Sequence, residues 1–168
     1  MQAEAGSQVN GGAREVRLAR AGLRDLAAVL EIERRCFAGD AWPLLDVIGV
    51  LAWPEVVRLK AVTQGRVVGF VAADPNHHGD AAMIATLAVL PEYRRQRIAW
   101  RLLEACEAML KAGRICLTVR ADNTSAQQLY EAFGYRITGS VARYYSDGAA
   151  GIAMEKANRQ HAPTGPLA

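Results

Sequence analysis

Thr86-Leu-Ala-Val-Leu-Pro-Glu-Tyr-Arg-Arg-Gln-Arg-Ile-Ala99 reads as a strand that passes through a tight basic turn directly into a long helix. The helix is expected over residues 96–112, with Ile98, Leu102, Leu103, Cys106, Met109 and Leu110 on one face and Gly113 past its end. A helix start presents backbone N–H groups without internal partners, and the dipole adds partial positive charge. Arg94, Arg95, Arg97 and Arg101 crowd this start, where cations fit the dipole badly unless an anion lies close by. Turn and helix together therefore predict a seat for a phosphate or pyrophosphate. The plain alternative is a solvated arginine cluster.

Working outward, Val-rich stretches at 56–63, 66–73 and 82–90 read as strands, with Gln64-Gly65 as a hairpin turn and 74–80 as a longer polar one. Before them, residues 15–20 alternate like a half-buried strand. Residues 23–36 form a helix with Leu26, Leu30, Ile32 and Cys36 inward, and Trp42-Pro43 opens a second helix running to about Ala52. Beyond the central helix, 115–119 is a short apolar strand. Asn123 starts another helix, with Ala126, Leu129, Tyr130 and Phe133 at inward spacing and Gly134 as its stop. Residues 135–145 and 152–155 read as two closing strands around Ser146-Asp147-Gly148. This order implies an α+β fold, a largely antiparallel sheet with helices packed on its faces.

The chain has 168 residues, 51% hydrophobic and 22% charged, the balance of one globular domain. Residues 14–156 are expected to form it, between flexible segments at 1–13 and 157–168. The net charge of +3 is too mild for a general nucleic-acid or membrane binder, and no apolar run approaches the ~18 residues of a membrane span. Residues 1–13 lack the basic start and apolar middle of a secretory signal. Cys36, Cys106 and Cys116 form no CxxC pair and read as reduced thiols in a cytoplasmic protein, a monomer or homodimer. His77 and His78 lack metal-ligand spacing, so no metal is expected. Trp42 and Trp53 read as core anchors by default.

The stretch Arg94-Arg-Gln-Arg-Ile-Ala99 resembles the pyrophosphate loop Arg/Gln-x-x-Gly-x-Gly/Ala of the GNAT superfamily of N-acetyltransferases, and Leu117-Thr-Val-Arg-Ala-Asp-Asn-Thr-Ser-Ala-Gln-Gln-Leu-Tyr-Glu-Ala-Phe-Gly-Tyr135 resembles its Leu-Glu-Val-Arg, Asn, Ala, Leu-Tyr, Gly-Phe signature. Ala142-Arg-Tyr-Tyr-Ser-Asp-Gly148 is similar to its closing hairpin. The likeness runs from about Val16 to Lys156 and is strongest to RimI-type enzymes, which acetylate protein N-termini. It implies the GNAT fold, a mixed, mostly antiparallel sheet of about seven strands flanked by about four helices. It also implies acetyl-CoA as co-substrate, bound by Leu87, Ala88, Val89, Arg94, Arg95, Gln96, Arg97, Ile98, Ala99, Asn123 and Tyr130. Tyr130 would then be the general acid at the departing thiolate, and Tyr144 and Tyr145 would line the acceptor groove. The residues alone also allow Asn123 as a plain helix cap, Tyr130 as a core aromatic, and one of the paired tyrosines as packing.

Two positions depart from the pattern. Arg97 stands where the family has glycine, either clasping a coenzyme A phosphate or weakening cofactor binding. Thr118 stands where RimI-type enzymes carry a glutamate base, and a hydroxyl takes no proton near neutral pH. That loss is more tolerable for an α-amine than for a lysine, whose pKa is about 10.4 against about 7.7–8.0. Another carboxylate acting through a water chain, such as Glu131 or Asp46, stays open as a base. The expected reaction is direct attack of a protein N-terminal amine on the thioester. The rivals are a small-molecule amine as acceptor and a non-catalytic acyl-CoA-binding protein.

Overall fold

The computed structural model describes residues 15–158. Seven strands and four helices follow one another as β1 (Arg17–Arg20), α1 (Leu26–Phe37), α2 (Leu44–Ala52), β2 (Val57–Thr63), β3 (Arg66–Asp74), β4 (Ala81–Val89), α3 (Ile98–Glu107), β5 (Arg114–Arg120), α4 (Thr124–Ala132), β6 (Arg136–Val141) and β7 (Gly151–Ala157). The strands form one sheet in the order β1-β2-β3-β4-β5-β7-β6. Every neighbouring pair is antiparallel except β4 and β5, which run parallel because α3 carries the chain back between them.

That parallel pair holds for only part of its length. Register runs from Ala81 opposite Arg114 to Ile84 opposite Leu117 and then stops, although both strands continue. On its other side, β4 pairs Ile84 with Ala73 and Thr86 with Ala72, leaving Ala85 as an extra residue. Such a bulge bends its strand and increases the local twist. The bend falls where β4 leaves β5, so the sheet opens into a wedge between residues 85–89 and 118–120.

Helices close over both faces. Thr86, paired with Ala72, meets Glu33 of α1, whereas Gly69, paired with Val89, faces Leu102 of α3. Thr86 and Val89 are three residues apart and so point to opposite faces. A Cβ at Gly69 would sit 3.0 Å from Leu102 Cδ1 and 3.2 Å from the Ala88 oxygen, so glycine lets α3 lie close against the sheet. The buried core joins Val29 and Ile32 of α1, Phe70 and Val71 of β3, and Leu102, Leu103 and Cys106 of α3.

Several expected boundaries move. α3 ends at Glu107 because residues 108–110 tighten into a turn, with Met109 N–H donating to the Cys106 oxygen at 3.0 Å. Met109 is consequently exposed, while Leu110 stays buried. The strand expected over 135–145 is shorter, since β6 stops at Val141 and the chain turns with Arg143 at φ 53. Tyr144 and Tyr145 therefore lie in a turn, not a strand. The inward stripe of α1 is Val29, Ile32 and Glu33, with Leu26, Leu30 and Cys36 only half-buried. β7 extends through Ala157, and the Asn158 amide donates to the Leu110 and Ala112 oxygens, so these two residues are tied down. The remainder of the expected tail, and residues 1–13, lie outside the described residues.

Candidate active site

The turn after β4 is held from within. Arg94 Nε donates to the Val89 oxygen at 3.2 Å, which makes that guanidinium a staple of the turn. Arg95 and Arg97 both adopt left-handed backbone, at φ 60 and φ 59. Arg97 is the N-cap of α3, and no side chain caps the helix, so its first N–H groups are left for another partner. The guanidinium groups of Arg95, Arg97 and Arg101, all exposed residues, make no hydrogen bond or ion pair among the described residues. Gln96 is exposed as well, while the Ile98 side chain belongs to the core and has only its backbone to offer a ligand.

From this turn a cavity of about 400 Å³ runs along the wedge, lined by Phe37, Leu87, Val89, Arg95, Ala99 and Leu129 among others. The size is within the ordinary range for a ligand of cofactor dimensions. Beyond Ile84 the free edge of β4 has no partner strand. Leu90 N–H turns the other way, donating to the Val68 oxygen at 2.9 Å. Strand alternation therefore directs Ala88 N–H toward β3 and the N–H groups of Leu87 and Val89 into the wedge. The Val89 oxygen, on this open side, already accepts from Arg94 and from Cys36 Sγ.

A second, smaller chamber of about 130 Å³ adjoins the first, lined by Glu33, Asp40, Thr86, Thr118, Arg120 and Tyr145 among others. Phe37, Leu87, Asn123, Ala126 and Tyr130 line both spaces and mark their junction. Asn123 caps α4, its Oδ1 accepting from Ala126 N–H at 3.1 Å and from Ser125 Oγ, which leaves the amide nitrogen for a ligand. The cap and a ligand contact are thus compatible. Tyr130 is buried, edge-on to Tyr135, and burial pushes its phenol well above its ordinary range. A phenol so placed is a hydrogen-bond donor throughout the physiological range.

The far end of the chamber is tied shut by Arg120. Its guanidinium binds the Asp40 carboxylate of the α1–α2 connection, Asp122, and Asp147 in the β6–β7 turn, and it stacks 4.9 Å from the Tyr145 ring. Ser146 Oγ donates to Asp40 at 2.8 Å. Burial pushes the Tyr145 phenol up to about 12. Tyr145 thus reaches the chamber, whereas Tyr144 is half exposed, packs by Gly151 and is not among the lining residues. Glu131 and Asp46 are exposed and outside both spaces, which removes them as bases acting there.

Residues 26–135, from the start of α1 to the residue before β6, match the acetyltransferase (GNAT) family. The chain belongs to that family. Its seven-stranded mixed sheet with four helices is thereby the GNAT fold. The catalytic subunit NAA20 of the N-terminal acetyltransferase B complex of Arabidopsis thaliana is 35% identical over 111 residues, 62% of this chain and 64% of that protein. The chain thus spans somewhat under two thirds of that relative's length. The N-alpha-acetyltransferase RimI of Mycobacterium tuberculosis is 30% identical over 127 residues, covering 72% of this chain and 78% of the relative. Among solved structures, the ribosomal-protein-S18-alanine N-acetyltransferase of Escherichia coli superposes with a TM-score of 0.76 at 26% identity, over 85% of this chain and 94% of that one. The GNAT chain is of the RimI type.

Glu33, Phe37, Asp40 and Trp42 line the smaller chamber, and Glu33, Phe37 and Asp40 were not legible as site residues in the sequence. For Glu33 a signal existed. It stands one turn after Val29 on the buried stripe of α1, a charged residue at a core position.

Proposed function

We propose that the chain is an acetyl-CoA-dependent N-acetyltransferase whose acceptor is the α-amine of a protein N-terminus. The observation that carries this reading is the meeting of the two spaces at Tyr130, over the unpaired N–H groups of β4. The larger space suits the pantetheine arm, with the pyrophosphate on the uncapped start of α3 among Arg95, Arg97 and Arg101. Bound there, acetyl-CoA supplies an activated acyl group as its thioester. Leu87 and Val89 N–H groups hold the acetyl oxygen and favour negative charge on it. Asn123 orients the arm through its free amide nitrogen. Tyr130 donates a hydrogen bond to the departing sulfur.

The smaller chamber takes the amine. Its volume admits the first residue of a peptide, with Tyr145 and the Arg120–Asp40 clasp limiting its depth. An α-amine, with a pKa of about 7.7–8.0, is neutral in about a tenth of molecules at pH 7, against about one in a few thousand for lysine. A site with threonine at position 118 favours the α-amine on that ground. The names of the relatives given above support it too. A cytoplasmic location is part of the proposal, supported by the bacterial relatives and by three unpaired cysteines.

The test is coenzyme A release with acetyl-CoA and a panel of N-terminal peptides, lysine peptides and polyamines. Turnover is expected with peptide α-amines, falling about 10²-fold in Tyr130→Phe while coenzyme A still binds. Turnover with polyamines alone would move the acceptor to small molecules. Binding without turnover on any amine would overturn the enzymatic reading.

A further inference from the structure

Glu33 has no cationic partner. The residue is wholly enclosed on α1, yet it forms part of the wall of the acceptor chamber. It takes part in no ion pair among the described residues. Its two contacts are donors: Thr86 Oγ1 at 3.0 Å to Oε1, and Trp42 N–H at 3.4 Å to Oε2. Thr86 sits on β4 at the mouth of the wedge and lines the same chamber as Glu33, so its hydroxyl joins the carboxylate to a residue of the chamber wall. Burying a carboxylate without a cation costs several kcal/mol in general, and apolar packing would serve the fold better. A purely structural glutamate has no evident reason to be there.

We propose that Glu33, acting through the Thr86 hydroxyl, accepts the proton that the acceptor amine sheds before attack. This rests on the acetyltransferase reading and supplies the base that Thr118 does not. The bonds balance as follows. As the bound ammonium gives one proton, directly or through a water, to Thr86 Oγ1, Thr86 passes its own proton to Glu33 Oε1 in the same step, so the hydroxyl never carries two protons. One N–H bond breaks and one carboxyl O–H bond forms. After attack the nitrogen loses its second proton to the departing sulfur. Glu33 returns its proton to water by the same hydroxyl when product leaves, and no oxidant or other reactant is needed. Both contacts favour the carboxylate, while burial raises its affinity for a proton. A group that takes a proton up and gives it back needs that opposition.

The ionisable groups facing this position are few. Cys36 is one turn along α1, Asp40 follows on the connection to α2, Arg120 comes from β5, Tyr130 from α4 and Tyr145 from the β6–β7 turn. Arg120 is engaged by Asp40, Asp122 and Asp147, so its charge is compensated away from Glu33.

The experiment compares wild type, Glu33→Gln, Thr86→Val and Thr86→Ser from about pH 6 to pH 9 with an N-terminal peptide. Glu33→Gln should lower kcat by about 10²-fold at the acid end, and the deficit should shrink toward pH 9, where the amine is already neutral. Thr86→Val should do the same, the double variant should be no worse than either, and Thr86→Ser should recover most of the rate. Coenzyme A affinity should not change. Independently of turnover, carbon-13 NMR of the unliganded protein should show the Glu33 carboxyl titrating, with its midpoint moved upward in Thr86→Val. A deficit equal at all pH values, a change confined to KM, or full activity in Thr86→Val overturns the relay. Wild-type protein inert toward every amine overturns the acetyltransferase reading and the relay with it. Wild-type turnover beside a fully active Glu33→Gln overturns the relay alone.

Discussion

Replacing Arg97 by glycine should make the protein more stable and a poorer ligand for coenzyme A. Arg97 caps α3 at φ 59, a left-handed conformation that costs an L-residue about 1–2 kcal/mol. Glycine removes that cost but adds freedom to the unfolded chain worth about 0.5–1 kcal/mol. The net gain is about 0.5–1 kcal/mol, which for a chain of this size raises Tm by about 1–4 °C. Against it stands the loss of an exposed, unpaired guanidinium beside the anion seat. Exposed charge pairs contribute up to about 1 kcal/mol, so Kd for coenzyme A should rise up to about fivefold. Arg97→Ala separates the effects, since it deletes the charge and keeps the strained backbone. Scanning calorimetry and titration calorimetry at two salt concentrations measure both, and the difference in Kd should fade at high salt. Binding of coenzyme A by Arg97→Gly as tight as in wild type, or equal Tm shifts for glycine and alanine, would rule out these roles for Arg97.

Glu33→Gln gives a second check through stability. Burial raises the Glu33 pKa, so the folded state holds that proton more firmly than the unfolded state. The group's contribution is greatest below the unfolded value and is lost as pH rises through the folded one. The variant's Tm should therefore gain on wild type as pH rises above the ordinary carboxylate range, and parallel curves would contradict it. Arg120→Ala frees the α1–α2 connection and the β6–β7 turn together; KM for the peptide should rise about tenfold or more, with coenzyme A binding unchanged, in steady-state kinetics and calorimetry. Gly69→Ala places a methyl 3.0 Å from Leu102 Cδ1 and 3.2 Å from the Ala88 oxygen. It should cost about 1–3 kcal/mol in denaturant unfolding.

The strand–turn–helix unit was readable because its signals are local: an apolar run, a cluster of arginines, then a face repeating every three or four residues. The same is true of Asn123 as the cap of α4 and of the hairpin at Gln64-Gly65. The wedge was not readable from residues alone, because the bulge at Ala85 carries no glycine or proline to mark it. Asp40 and Arg120 are 80 residues apart in sequence, and nothing near either announces the pair. A glutamate followed directly by Arg34 and Arg35 looks like surface, which masks the core position that Glu33 holds one turn after Val29. The turn holding Tyr144 and Tyr145 reads as strand because two aromatics with flanking Val and Ile carry strand propensity, while the Arg120–Asp147 pair that turns the chain there is tertiary.

In the proposed reaction an acyl carrier and an amine meet at Tyr130 from two adjoining spaces. A coenzyme A–peptide conjugate, joined where the acetyl group would bridge sulfur and α-nitrogen, fills both at once. Titration calorimetry should find it bound at least about tenfold more tightly than coenzyme A, with the advantage lost in Arg120→Ala. Equal affinity for the two ligands, or no affinity for either, would contradict the account.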